Sequence, residues 1–184
     1  MIAVYLILLL IVVLAIVAVL QFNKLRRLDL QAQGAFAGIE TLLTKRADLV
    51  PNLVETVSGA ADFERGTMEA VTAARAQVSS ASSVSQTSAA DSELSSALGR
   101  LFAVAEAYPQ LTATAGFRDL QGQLTSVEGE LQFARQYYND SVVQLNTAVR
   151  TIPAMWFAGM AAVHEREMYA EPDAARRDAP HVEF

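Results

Sequence analysis

Met1 to Leu20 are apolar without exception, and this run constrains the chain more than any other feature. Ile2 to Leu20 is nineteen residues, fifteen of them Leu, Ile or Val. As a helix it extends about 28 Å at about 1.5 Å per residue, which matches a hydrocarbon core of about 30 Å. On insertion scales such a segment favours the bilayer by roughly 5 kcal/mol or more. A cleaved signal peptide is the competing reading, and it wants a basic start, a shorter apolar stretch and small residues before the cut. No Lys or Arg precedes the run, and the residues around Ala18, Val19 and Leu20 are too bulky for an A-x-A site. We therefore read residues 1–21 as an uncleaved transmembrane anchor. Lys24, Arg26 and Arg27 follow it directly, and the positive-inside rule then assigns the rest of the chain to the cytoplasm. The same three charges also suit anionic headgroups, so on either ground they mark the membrane surface.

Without the anchor the hydrophobic fraction falls to that of an ordinary soluble domain. A length of 184 residues admits one domain with appendages. Net charge is −6 with only 14 Lys plus Arg spread along the chain, which argues against a nucleic-acid partner, since that needs a basic face. There is no cysteine, which excludes disulfides, thiolate nucleophiles and Cys-ligated metal.

Apolar residues beyond the anchor recur at steps of three and four, the mark of amphipathic helices. Leu25, Leu28, Ala32, Ala35, Ile39, Leu42 and, after Arg46, Leu49 form the first stripe. Val54, Val57, Ala61, Met68, Val71 and Val78 form the second, interrupted by Glu64 and Arg75. Leu94, Leu98, Leu101, Ala105 and Tyr108 form the third. Phe117, Leu120, Leu124, Val127, Leu131, Ala134, Tyr138, Val142, Leu145, Val149 and Ile152 form the fourth and longest. Ser79 to Ala90 is Ser/Ala/Thr-rich and reads as a loop or frayed end, with Ser88 and Asp91 at capping-box spacing before Leu94. Pro109 closes the third helix, and Thr112 or Thr114 suits the cap of the fourth.

Pro51 either lies in the first turn of a helix capped near Asp48 or kinks a single helix from Leu25 to Gln77. Length matching favours a break, because the later helices could not cover a helix of about 80 Å. The expected fold is all-α: an N-terminal transmembrane helix, then an antiparallel up-and-down four-helix bundle of long helices over residues 22–160, then a polar tail over residues 161–184. That topology returns the fourth helix to the membrane. Ile152, Pro153, Met155, Trp156, Phe157 and Met160 then either rest at the interface, with Trp156 and Phe157 as surface anchors, or continue the bundle core.

Reactive constellations are scarce. The two histidines, His164 and His181, are poorly placed for a bundle-core metal site, and Glu64 is the one acid on a stripe with no partner at ligand spacing. No G-x-S-x-G elbow or phosphate-binding glycine loop occurs. Gly34 and Gly38 have GxxxG spacing, which would allow close helix approach. Arg135, Tyr137, Tyr138, Asn139 and Asp140 form a polar-aromatic cluster that suits buried hydrogen bonding or, less readily, a ligand.

Three blocks are more specific than any helix pattern. They are Lys45-Arg46-Ala47-Asp48-Leu49-Val50-Pro51-Asn52-Leu53-Val54-Glu55-Thr56-Val57, then Leu101-Phe102-Ala103-Val104-Ala105-Glu106-Ala107-Tyr108-Pro109, then Phe117-x-x-Leu120-Gln121-x-Gln123-Leu124 with Ala134-Arg135-x-x-Tyr138-Asn139-Asp140. Together they resemble the LemA family of bacterial membrane proteins, and Pro180-His181-Val182-Glu183-Phe184 is similar to that family's closing residues. The resemblance implies a short outside N-terminus, one span of the inner membrane and a cytoplasmic helical bundle, with no established enzymatic activity or cofactor. Phe36-Ala37 stands where the family usually has Trp-Ser. Val127-Glu128-Gly129 stands where it has Thr-Glu-Asn, which removes hydrogen-bonding side chains.

Read physically, Asp48 and Pro51 suit a helix start or kink and Tyr108-Pro109 a helix stop. Arg135, Tyr138 and Asn139 could satisfy loop carbonyls, and Val182 and Phe184 are expected to dock on an apolar groove of the bundle or on a neighbour. The expected function is a non-enzymatic scaffold that contacts the lipid bilayer, forms a homo-oligomer or organises membrane proteins, with membrane shaping as an extension. An adaptor recruiting a soluble protease or chaperone is the alternative, and a carboxylate metal enzyme a disfavoured third.

Overall fold

The structure, a computed structural model, describes residues 1–58 and 65–170. Ala61, Glu64, His181, Val182 and Phe184, singled out above, lie outside the described residues. Among the described residues there are six helices and no strand: α1 (Ile2–Ser58), α2 (Arg65–Ser80), α3 (Val84–Ala105), α4 (Pro109–Thr112), α5 (Ala115–Arg150) and α6 (Met155–Ala158).

The expected break at Pro51 is absent, because α1 is one helix of 57 residues with Pro51 inside it. Proline lacks an N–H, so the carbonyl four residues earlier, that of Ala47, loses its intrahelical donor. Arg75 on α2 replaces that donor: its Nε–H points at the Ala47 carbonyl oxygen at 2.9 Å. Asp48 is therefore an exposed mid-helix residue and no cap. The length objection to a helix from Leu25 to Gln77 does not arise, because α1 ends at Ser58. What remains, Leu25 to Ser58, is about 50 Å long, and α5 with 36 residues is about 54 Å.

The expected loop from Ser79 to Ala90 is mostly helix. Ser83 is the N-cap of α3, its Oγ accepting from the Gln86 N–H at 3.2 Å, while Gln86 Oε1 accepts from Ser82 N at 3.0 Å. The spacing is that of a capping box five residues earlier than expected, with Gln86 reaching the N–H that precedes the cap. Ser88 and Asp91 are buried inside α3. At the other end, Pro109 opens α4 at a position where its missing N–H costs nothing. Thr114 Oγ1 accepts from Phe117 N at 3.3 Å and caps α5.

The chain divides into two units. The first comprises Met1–Ala35 and Tyr137–Met168. Its core is made by Leu25, Leu28 and Ala32 of α1 and by Tyr138, Val142 and Leu145 of α5, all buried. Gln31 Nε2 donates to Ser141 Oγ at 3.4 Å, which sets the register between these stretches. After α6, Val163 N bonds to Ala158 O and Ala162 N to Gly159 O, with Ala162 at φ 49°. This is the hydrogen-bonding pattern of a left-handed helix terminus, and it turns the chain into the non-helical run 163–170. That run is tied down: Arg166 pairs with Asp29 at 2.9 Å, Asn146 Oδ1 accepts from Arg166 N at 2.9 Å, and Tyr138 Oη donates to the Glu167 carbonyl at 2.8 Å.

The second unit comprises Phe36–Gln136 and the chain from Tyr169. One core joins Val50, Leu53 and Val57 of α1, Val71 and Ala74 of α2, Leu94, Leu98 and Leu101 of α3, Leu111 of α4 and Phe117, Leu120 and Leu124 of α5. Full burial of each Leu is worth about 1.5–3 kcal/mol. Phe102 and Phe117 meet edge to face, centroids 6.0 Å apart. On α1 the buried position is Leu43, with Leu42 half-buried, because the stripe rotates to bring Arg46 inward. Gly34 and Gly38 are both exposed, and a Cβ on either meets nothing within 4 Å, so their spacing serves no close helix contact among the described residues.

Candidate functional site

Three helical stripes in the second unit each carry a charge where an apolar residue belongs. On α1, Arg46 continues the series Ile39, Leu43, Val50. On α3, Asp91 precedes Leu94, Leu98 and Leu101. On α5, Arg135 follows Leu131 by one turn and Glu128 lies two turns before it. Helical periodicity therefore turns these groups inward, where they must find one another.

They do. Asp91, with no accessible surface, accepts from Arg135 Nε at 3.0 Å and Nη2 at 3.0 Å, and from Arg46 Nη1 at 3.2 Å. Arg46 Nη1 also donates to Ser95 Oγ, one turn on, at 2.9 Å. Glu128 lies 2.8 Å from both Arg46 Nη1 and Arg135 Nη1. Tyr169, itself buried, donates from Oη to Asp91 Oδ2 at 2.8 Å, and Ser88 Oγ donates to the Ala170 carbonyl at 3.0 Å. Two cations thus face two anions, and the phenol completes the coordination of the deepest carboxylate. Glu128 alone reaches solvent, its side chain 40% exposed. Among the described residues, the buried side-chain atoms left without a hydrogen bond are Arg46 Nε and Glu128 Oε2.

Burial pushes the Asp91 carboxyl above its ordinary value, although Arg135, then Tyr169 and Arg46, pull the other way. Burial works against the Arg135 charge as well, but Asp91 and Glu128 outweigh it and hold the guanidinium above its ordinary value. The Tyr169 phenol is raised far above its usual range by burial and by the Asp91 charge. It is a fixed hydrogen-bond donor at any ordinary pH. The cluster's chemistry is cohesion: it clamps α1, α3, α5 and the chain at 169–170 by charge-assisted bonds. Among the described residues no three His, Asp or Glu side chains converge as a metal site would require.

The residues expected to matter are dispersed. Lys24, Arg26 and Arg27 are exposed on α1; Arg26 reaches Asp29 at 3.8 Å. Trp156 is 67% exposed and Phe157 half-buried. Asp48, Pro51, Asn52 and Glu55 lie on the exposed side of α1, Glu106 and Pro109 are exposed, and Tyr108 is half-buried. Of the cluster on α5, Arg135 binds carboxylates, and Tyr138 satisfies a backbone carbonyl as expected. Asn139 is half-buried. Sequence reasoning missed Asp91, Tyr169 and the inward roles of Arg46 and Glu128. The signal for three of them was present, namely opposite charges at stripe positions of different helices.

A family model described as the LemA family matches residues 35–184, the stretch holding the whole cluster. Comparison with curated proteins gives no match.

Proposed function

The chain belongs to the LemA family, and from that premise we propose that it is a single-span, membrane-anchored, non-enzymatic helical scaffold that associates with itself or organises other membrane proteins. The observation that carries this reading is the continuity of α1: the anchor, the one helix among the described residues long and apolar enough to cross a membrane, runs without a loop into the folded part.

The buried charges support the reading, because they are bound to one another rather than presented to a substrate. Apolar side chains outside the anchor offer lateral contacts. Phe133 and Tyr137, one turn apart on α5, are 76% and 54% exposed. Confinement to two dimensions makes weak contacts of this kind effective. In this reading the helices form an antiparallel up-and-down bundle in the cytoplasm of a bacterial cell, the N-terminus lies outside the inner membrane, and Lys24, Arg26 and Arg27 face the inner leaflet. The bilayer and further copies of the chain are its partners.

The absence of native cysteine allows a clean test. Tyr137→Cys chains oxidised in native membranes should give a disulfide-linked dimer. Capture of a different protein instead would favour an adaptor that recruits a protease or chaperone, and no crosslink at all would count against this face.

A further inference from the structure

The first unit contains a second apolar element besides the anchor. From Ile152 to Val163 the chain has twelve residues and, apart from the Trp156 indole N–H, no polar side chain. Four of its large side chains face outward, Ile152 at 66% exposed, Met155 at 44%, Trp156 at 67% and Met160 at 75%, while Phe157 is half-buried and Val163 buried. Its small ones, Ala154, Ala158 and Ala161, face inward and are buried. A water-facing loop would do the reverse.

The depth of this element follows from the register of the unit. Gln31 bonds to Ser141, and Arg166 joins Asp29 to Asn146, so α5 runs antiparallel to α1 and Arg150 comes level with about residue 22. The segment after Arg150 therefore lies beyond the basic rim of Lys24, Arg26 and Arg27, beside the anchor itself. The anchor bears the mark of a neighbour: residues 2–16 are exposed all round, whereas Val17, Ala18, Gln21 and Phe22 are partly covered. Val17 is about 9 Å nearer the N-terminus than Asn23. A polar neck closes the element on both sides, where Arg150 binds Glu165 through Nε at 2.7 Å and Nη2 at 2.5 Å.

We propose that Ile152–Val163 is a second membrane-embedded element, a hairpin turn seated among the acyl chains of the leaflet nearest the basic rim, with Ile152, Met155, Trp156 and Met160 in contact with lipid. This rests on the reading of Ile2–Leu20 as a span, and it turns a single-pass anchor into an anchor with a one-leaflet wedge. Lipid is the occupant because the element lies level with the anchor and shares its outward apolar character; a soluble partner could not reach it there.

Trp156 is the only tryptophan, so its emission reports on this element alone. The full chain is reconstituted in phosphatidylcholine and phosphatidylglycerol vesicles whose acyl chains carry bromine near the headgroup end, near the methyl end, or nowhere. The expected result is blue-shifted emission, low access to aqueous acrylamide, and intensity reduced to less than half by bromine near the headgroup end. Bromine near the methyl end should quench less. Emission open to acrylamide and indifferent to bromine would overturn the proposal by placing the element in water. Protection from acrylamide without bromine quenching would overturn it in favour of a second copy as the cover. The Leu10→Trp substitution in a Trp156→Phe chain separates the two layers of inference. Quenching of that tryptophan by bromine near the methyl end confirms the span independently, and its absence would remove the span and the proposal together.

Discussion

Replacing Arg135 by Met keeps most of the side chain's volume and removes the strongest partner of a carboxylate with no accessible surface. Asp91 would retain Arg46 Nη1 at 3.2 Å and Tyr169 Oη at 2.8 Å but lose two bonds at 3.0 Å. Both side chains are at least nine-tenths buried, so solvent screening gives no discount. Breaking a buried pair from one side costs about 3–5 kcal/mol. For a chain of this size that lowers Tm by about 6–20 °C.

The effect has a pH signature. Asp91 already titrates above its ordinary 3.8, and without Arg135 it must rise further. A carboxyl raised in the folded state contributes stability that is present below its unfolded value and lost as pH rises through the folded value. The deficit of the variant should therefore be greatest at neutral pH and shrink towards about pH 4. Asp91→Leu combined with Arg135→Met leaves Arg46 and Glu128 paired at 2.8 Å and should recover most of the loss, since an apolar replacement of a buried pair is close to neutral. Thermal unfolding in mild detergent, followed by circular dichroism at several pH values, reads all three quantities. A loss under about 1 kcal/mol for the single variant, or a double variant no better than the single, would show that the Asp91 charge does not depend on Arg135.

Three further outcomes are expected. Arg75→Met should cost about 1–3 kcal/mol by orphaning the Ala47 carbonyl, and Pro51→Ala, which restores the helical N–H, should make Arg75 dispensable; urea unfolding of the four chains in a double-mutant cycle checks this. Ala162→Gly should stabilise the chain by about 0.5–1 kcal/mol, because Ala162 sits at φ 49°, where a Cβ is unfavourable; a lower midpoint would show that the turn is not held this way. The Glu165 carboxyl, bonded first of all by Arg150, should titrate below its ordinary 4.5 in carboxyl NMR. The stability of that neck would then be present above 4.5 and be lost as pH falls through the lowered value, whereas titration at or above 4.5 would show the neck open.

The helical stripes were readable because burial imposes a period of 3.6 on the sequence, and Leu94, Leu98, Leu101, Phe117 and Leu131 are buried as their spacing requires. Pro51 misled because its correction is non-local: nothing near it in sequence announces that Arg75, 28 residues on, supplies the missing donor. The Ser/Ala run before Leu94 misled for a related reason. Small residues read as a loop, yet here they give α3 a face on which the chain at 169–170 lies, with Ser88 bonded to Ala170. Asp91 and Arg135 stood in stripe register with opposite charge and could have been paired from sequence. Tyr169 could not, since it reaches Asp91 from a non-helical run that has no periodicity to read.

Self-association of the anchored chain is read by its detergent-corrected mass from light scattering, on the full chain and on a chain beginning at Asn23. A discrete multimer is expected for the full chain, falling to a smaller species without the anchor. A monomer in both, at high concentration in mild detergent, would contradict it.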